Sequence, residues 1–132
     1  FGLGVPQDDA EAVKWYRKAA EGGVLKAQHF LGVMYSNQQQ FTEAGLWYRL
    51  AAEQGSVFSQ TALGLLYAGG RGIPLNIVRA HMWFSIAGAS GELGENSARK
   101  YRDEIANIMT PSQIEIAQGM ARNCIATNYQ DC

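Results

Sequence analysis

Three groups of residues have types and spacings that could carry chemistry. Ser97-x-x-Lys100 has the SxxK form in which penicillin-recognising enzymes use a lysine to help activate a serine nucleophile. The S-D-N and K-T-G motifs that complete such sites are absent from the sequence. Serine and lysine near a helix start are ordinary solvent-facing residues, so chance explains this match better than catalysis. Gly69-Gly70-Arg71-Gly72 has the glycine density of a phosphate cradle. A P-loop, however, follows a strand and leads through Gly-Lys-Ser/Thr into a helix, and here Ile73-Pro74 comes next. This segment reads as a turn between helices. Asp8, Asp9 and Glu11 form an acidic run that reads as favourable charge at a helix start and not as a metal site. His29 and His81 stand far from both cysteines in sequence and no CxxC occurs, which argues against zinc and leaves no expected cofactor. No trio of nucleophile, base and orienting group can be assembled, so we expect no catalytic residues and no enzyme.

Cys124 and Cys132 fall within the last nine residues, where the chain can turn back on its final helix. A disulfide there would fasten the tail to that helix and point to an oxidising compartment, such as a bacterial periplasm or the exterior. Two free thiols would suit the cytoplasm instead. We expect the bond.

The elements that position these residues emerge from self-comparison. AVKWYRKAAEGG from Ala12, AGLWYRLAAEQG from Ala44 and AHMWFSIAGASG from Ala80 share an alanine, a tryptophan three residues on, an aromatic beside it and a later alanine. The tryptophans are Trp15, Trp47 and Trp83, spaced 32 and 36 residues apart. A second pattern keeps the same register: Ala27, Leu31, Gly32 and Tyr35 correspond to Ser59, Leu63, Gly64 and Tyr67. Both patterns place their residues on one face of an α-helix. Each repeat is therefore two helices, A and then B, with small residues allowing close crossing and an indole expected in every inter-helix layer.

The connectors agree. Gly70-Arg71-Gly72-Ile73-Pro74 recurs as Gly2-Leu3-Gly4-Val5-Pro6. Glycine supplies turn conformations and proline stops the preceding helix. Asp8 with Glu11 has the form of a capping box, and Asn76 takes the equivalent cap position. The middle connector, Ser36–Gln40, is four residues shorter, and its cap position falls on Gln40, a poor capping residue. Beyond Gly91 the repeat blurs. A helix is expected from about Asn96 to Met109, then another from Pro111 to about Ala126 behind a Thr110-Pro111-Ser112-Gln113 start signal. This polar segment suits the closing unit that a solenoid end requires. The division is thus repeats over 1–91, the first lacking its A helix, and capping helices with a tail over 92–132.

The composition is consistent with one folded unit of 132 residues, 47% hydrophobic and 17% charged. Eleven basic residues are interleaved with twelve acids, for a net charge of -1, so no basic stripe marks a nucleic-acid binder. No apolar run approaches the ~18 residues of a membrane span, and we expect no membrane insertion.

These residues resemble the Sel1-like repeat family, relatives of the tetratricopeptide repeat with longer repeats and Gly-x-Gly-Val-Pro connectors. GLGVPQDDAEAVKWYRKAAEGG and LGLLYAGGRGIP carry the resemblance from Phe1 to about Gly91, and MTPSQIEIAQGMARNC is similar to the closing segment of bacterial members. Departures are the short middle connector, Ser59 in place of an A-helix alanine and Gly88 in place of a B-helix alanine. The resemblance implies an all-α, right-handed α-solenoid with helix A lining the concave side. It also implies adaptor or scaffold roles in bacterial signalling, host interaction or protein quality control.

Cysteine-rich relatives are associated with β-lactam binding, which makes a β-lactam-interacting protein the second functional reading. A structural spacer within a larger protein is the third. Read onto a tetratricopeptide-like groove, the A-helix positions free of packing duties are Lys26, His29, Val33 and Asn37, then Phe58, Thr61 and Leu65. Lys100 and Glu104 are expected to extend the groove. The expected partner is a protein or peptide. Because the first repeat lacks its A helix, apolar surface around Val13, Trp15, Tyr16 and Ala19 is expected to promote self-association at the N-terminal end.

Overall fold

The computed structural model describes residues 6–132, with side chains from Glu11 onward. Seven α-helices follow one another: α1 (Pro6–Glu21), α2 (Leu25–Asn37), α3 (Phe41–Ala52), α4 (Val57–Gly69), α5 (Ile77–Gly88), α6 (Glu95–Ala106) and α7 (Pro111–Ala126). No strand occurs among the described residues. Each helix from α1 to α5 packs on the next, producing a solenoid of helical repeats. α7 departs from this order, since it packs on α5.

Within a repeat, close approach of A and B depends on a missing side chain. A Cβ on Gly32 of α2 would lie 2.5 Å from the ring of Tyr48 on α3, and one on Gly64 of α4 would lie 2.5 Å from the ring of Phe84 on α5. The aromatics beside Trp47 and Trp83 thus lie flush against a bare stretch of helix. Between repeats, polar contacts join B to the next A, and they recur with the 32-residue period. The Gln28 amide nitrogen donates to the Ala20 carbonyl at 3.1 Å, and that of Gln60 donates to the Ala52 carbonyl at 3.1 Å. Both glutamines are buried, so these bonds satisfy their amides, on carbonyls that also accept from the Gly23 and Gly55 amides. Arg17 donates to the Tyr35 hydroxyl, and Arg49 to that of Tyr67 at 3.3 Å.

The connectors explain where the helices stop. Gly70 ends α4 at φ 63°, and Gly72, at φ 73°, rests on the Phe41–Thr42 backbone where a Cβ would collide. Asn76 Oδ1 accepts from the Arg79 amide at 3.0 Å and caps α5. The shorter middle connector turns through Gln39 at φ 60°, and Gln40 precedes α3 without a side-chain cap bond. Thr110 and Gln113 form a reciprocal capping box at the start of α7. α1 begins at Pro6, so Asp8, expected as its cap, lies inside the helix. The glycine connector expected at Gly2–Val5 lies outside the described residues.

The tryptophans correct one expectation. They occupy equivalent repeat positions but are not equally covered: Trp83 is 0% exposed, Trp47 is half-buried and Trp15 is 71% exposed. Trp83 belongs to the main core with Met82, Ile86, and Ala117, Ala121 and Cys124 of α7. Trp47 packs on the smaller cluster of Ala20, Ala27 and Leu31. The repeat specifies where an indole stands, while its burial depends on which helix lies over it.

Cys124 and Cys132 are disulfide-bonded, with Cα atoms 4.7 Å apart. Cys124 is fully buried. The tail is further held by the Tyr129 amide donating to the Cys124 carbonyl at 2.8 Å and by Arg79 donating to the Cys132 main-chain oxygen at 2.7 Å.

Two stability measurements follow from this packing. Trp83→Ala should cost about 3–5 kcal/mol, the range for emptying a fully packed aromatic site. Trp47→Ala should cost less, about 2 kcal/mol, because that side chain is only partly covered and packs on the smaller cluster. Urea unfolding compares the two, and equal losses would contradict the unequal coverage. Reducing the disulfide should lower unfolding free energy by about 2–3 kcal/mol in the chain-entropy account of a short loop. A Cys132→Ser variant should match the reduced protein.

Candidate protein-binding face

The residues selected from the sequence lie on α2, α4 and α6, the A-type helices, where the structure gives them different duties. Lys26 and Asn37 are exposed at opposite ends of α2. His29 is half-buried, with Nδ1 2.9 Å from the Ser59 hydroxyl of α4. Its ring lies 6.2 Å from that of Tyr48 and 6.1 Å from that of Phe58. Burial pushes its pKa below the ordinary 6.5. Val33 is half-buried against the main core, so its apolar surface serves packing first. On α4, Phe58 is 52% exposed and Leu65 41% exposed. Thr61 lies between them, half-buried, with its hydroxyl donating to the Val57 carbonyl at 3.0 Å. Lys100 and Glu104 are exposed on α6.

Two hollows divide this set. The first, about 560 Å³, lies where the starts of α2 and α4 meet the connection between α5 and α6, and it gathers Lys26, His29 and Phe58. The second, about 580 Å³, holds Leu65 with Tyr48, Phe41 and Arg71. Val33, Asn37, Thr61, Lys100 and Glu104 line neither hollow.

Sequence reasoning missed Leu25 and Leu93, which join the first hollow, and Leu93 is 83% exposed. A leucine between Gly91 and Gly94 offered a signal, since a turn can hold an apolar side chain away from any helix face. It also missed Arg71, whose guanidinium sits 5.3 Å from the Phe41 ring centroid beside the second hollow. That position became visible only once Gly72 docked the connector on the start of α3.

The chemistry expected to be absent can be placed as well. Ser97 and Lys100 are both exposed on α6, and no hydrogen bond joins them. The histidines pair with other hydroxyls, His29 with Ser59 and His81 with Ser85. No three His, Cys, Asp or Glu side chains gather in a metal-binding group among the described residues. No described helix is long and apolar enough to cross a membrane. The face offers apolar and cationic contact surface.

Its architecture is that of a helical-repeat solenoid, and the comparisons give the family. The Sel1 repeat family profile matches residues 1–24, 25–56 and 57–92, and the chain belongs to that family. Sel1-like repeats are protein–protein interaction modules, and the fold is typically a non-enzymatic scaffold. Among solved structures, the chain is similar to a protective antigen present in uropathogenic Escherichia coli strains that displays an SLR fold. The identity is 28%, the TM-score 0.81, and the match covers 96% of this chain and 28% of that one. This chain therefore spans a little over a quarter of that antigen's length. No curated protein matches it.

The histidines give the fold a pH dependence of definite sign. Burial lowers the pKa of both His29 and His81 below 6.5 in the folded state. The unfolded chain then takes up protons more readily, so stability is fully present above pH 6.5 and declines as pH falls below it. Thermal unfolding between pH 7.5 and about 5 should show this decline. His29→Asn should make it shallower and leave the His81 share, and an unchanged slope in that variant would show that His29 titrates normally.

Proposed function

We propose that this chain is a non-catalytic binding module that holds a partner protein or peptide across the α2–α4–α6 face. The observation that carries the reading is the exposure of Phe58 and Leu65. Both are large apolar side chains on one helix, left in water although the repeat core beside them is closed. Exposed apolar anchors flanked by polar residues are where binding energy concentrates. On this reading Phe58, His29 and Leu93 take one apolar group of the partner, and Leu65 with Tyr48 takes a second. Lys26, Asn37 and Arg71 supply polar contacts at the margins, and Lys100 and Glu104 lengthen the face. Val33 and Thr61 shape its floor. Residues 92–132 close the repeat stack. The exposure of Ser97 and Lys100, with no hydrogen bond between them, favours binding over a β-lactam-directed activity, and the exposed anchors favour binding over a spacer role.

A photo-crosslinking amino acid at position 58 or 65 should capture the partner from the native source, while one at Glu115 on α7 should not. Phe58→Glu combined with Leu65→Glu should weaken capture by roughly a hundredfold or more, the scale of a two-anchor loss, with helicity unchanged. Crosslinks confined to position 115 would place the binding face elsewhere. Trp15 and Tyr16, both exposed on α1, make the N-terminal end a second contact surface through which copies associate. Light scattering over a concentration series should show this association in the parent chain and its loss in Trp15→Lys.

A further inference from the structure

α6 and α7 both pack on α5, yet among the described residues they do not pack along each other. The space between them is a cleft of about 500 Å³ on the last repeat, lined by none of the residues assigned above to partner binding. Its floor is the α5 stripe of His81 and Ser85, one turn apart. Arg102 enters from α6, and Gln118 and Arg122 enter from α7. Ile114 and Ile125 supply apolar wall.

His81 is only 2% exposed. Its Nδ1 lies 3.3 Å from the Ser85 hydroxyl, and no other hydrogen bond reaches the ring. Trp83 Nε1 is the only fully buried side-chain nitrogen or oxygen without a partner among the described residues. The other nitrogen of His81, Nε2, also has no partner, so it must touch open space, and the cleft is the open space that this ring lines. A nearly buried polar side chain therefore presents an unused hydrogen-bonding atom to the cleft.

The charges narrow the ligand. Arg102 is bound to the neighbouring Asp103 carboxylate at 3.0 Å. Arg122 has no ion pair among the described residues and is exposed on α7. Two guanidinium groups against one carboxylate leave one net positive charge, which balances a single negative charge better than two. Guanidinium forks match the two oxygens of a carboxylate. The isoleucines and alanines of the wall favour an apolar body beside that charge.

We propose that this cleft binds a carboxylate borne on an apolar group, with Arg122 as its principal partner and His81, Gln118 and Arg102 completing the hydrogen bonds. Two sources share that chemistry, a small apolar carboxylic acid and the C-terminus of a peptide ending in an apolar residue. The experiment separates them by titrating the intact protein with benzoate, with a hexapeptide ending in leucine, and with the same hexapeptide as its C-terminal amide. The readout is the NMR signals of the His81 ring and the Arg122 side chain.

Saturable shifts with benzoate alone assign the small acid, and shifts with the free-acid peptide alone assign the terminus. Shifts with both assign the shared chemistry. In each case Arg122→Gln should weaken binding roughly tenfold or more, the scale for loss of one charge-assisted hydrogen bond, and Arg122→Lys should recover part of it. Lys18→Gln, exposed on α1 and far from the cleft, should change nothing. Arg122 is exposed, so its variants should keep the fold, which circular dichroism checks. No saturable shift with either acid up to about 10 mM overturns the proposal, as do equal affinity of the amide or unchanged affinity in Arg122→Gln.

Discussion

The structure depends on two bare places on its A helices. Gly32 and Gly64 let the rings of Tyr48 and Phe84 lie against helix backbone, and any side chain there would have to displace a ring in a closed core. Interiors packed at crystal density tolerate such displacement poorly, with typical costs of about 1–3 kcal/mol. With A and B fixed at this distance, the rest of the repeat follows. Leu31 and Leu63 become fully buried, and the next A helix arrives where Gln28 and Gln60 reach the carbonyls at the ends of α1 and α3. An apolar contact sets the spacing within a repeat, and a buried hydrogen bond sets the joint between repeats. A buried amide without its carbonyl would forfeit about 1–3 kcal/mol, so the joint penalises slippage of one repeat against the next.

Much of this was legible in the residues because it is periodic. The glycine, the aromatic and the alanines recur in one register, and each has a physical meaning at that spacing. Thr110 with Gln113 and Asn76 were likewise readable, because capping is local chemistry. The buried glutamines also recur 32 residues apart, and that signal was present in the sequence without being used. What escaped was anything decided by a helix outside the repeat. Trp15, Trp47 and Trp83 look identical in sequence, yet their exposure runs from 71% to none.

The candidate binding face was legible in a more limited sense. The repeat pattern shows which A-helix positions packing does not claim, and Phe58 and Leu65 emerged that way. It could not show that Val33 turns toward the core, or that Thr61 spends its hydroxyl on its own helix. Nor could it show that the connections at Leu93 and Arg71 border the hollows. Those facts depend on tertiary placement of loops, where local spacing carries little information.

The same limit explains the distinct character of the last repeat. Leu46, Trp47 and Leu50 on α3 correspond to Met82, Trp83 and Ile86 on α5, yet Leu46 is 63% exposed and Leu50 45%, while Met82 and Ile86 are closed. On α1 the corresponding residues are Lys14, Trp15 and Lys18. The apolar character of these positions therefore rises along the chain toward the helix that covers them. Among the described residues α7 packs on α5, and its small residues Ala117, Ala121 and Cys124 allow it to lie close to the α5 core. Because α7 leaves the helix-on-next-helix order to do this, it diverges from α6. The disulfide and the Arg79 contact then hold the chain end on the side of α5 that α7 covers. Covering Trp83 and opening the cleft above His81 are thus two consequences of one displacement, that of α7 from the path of the repeat.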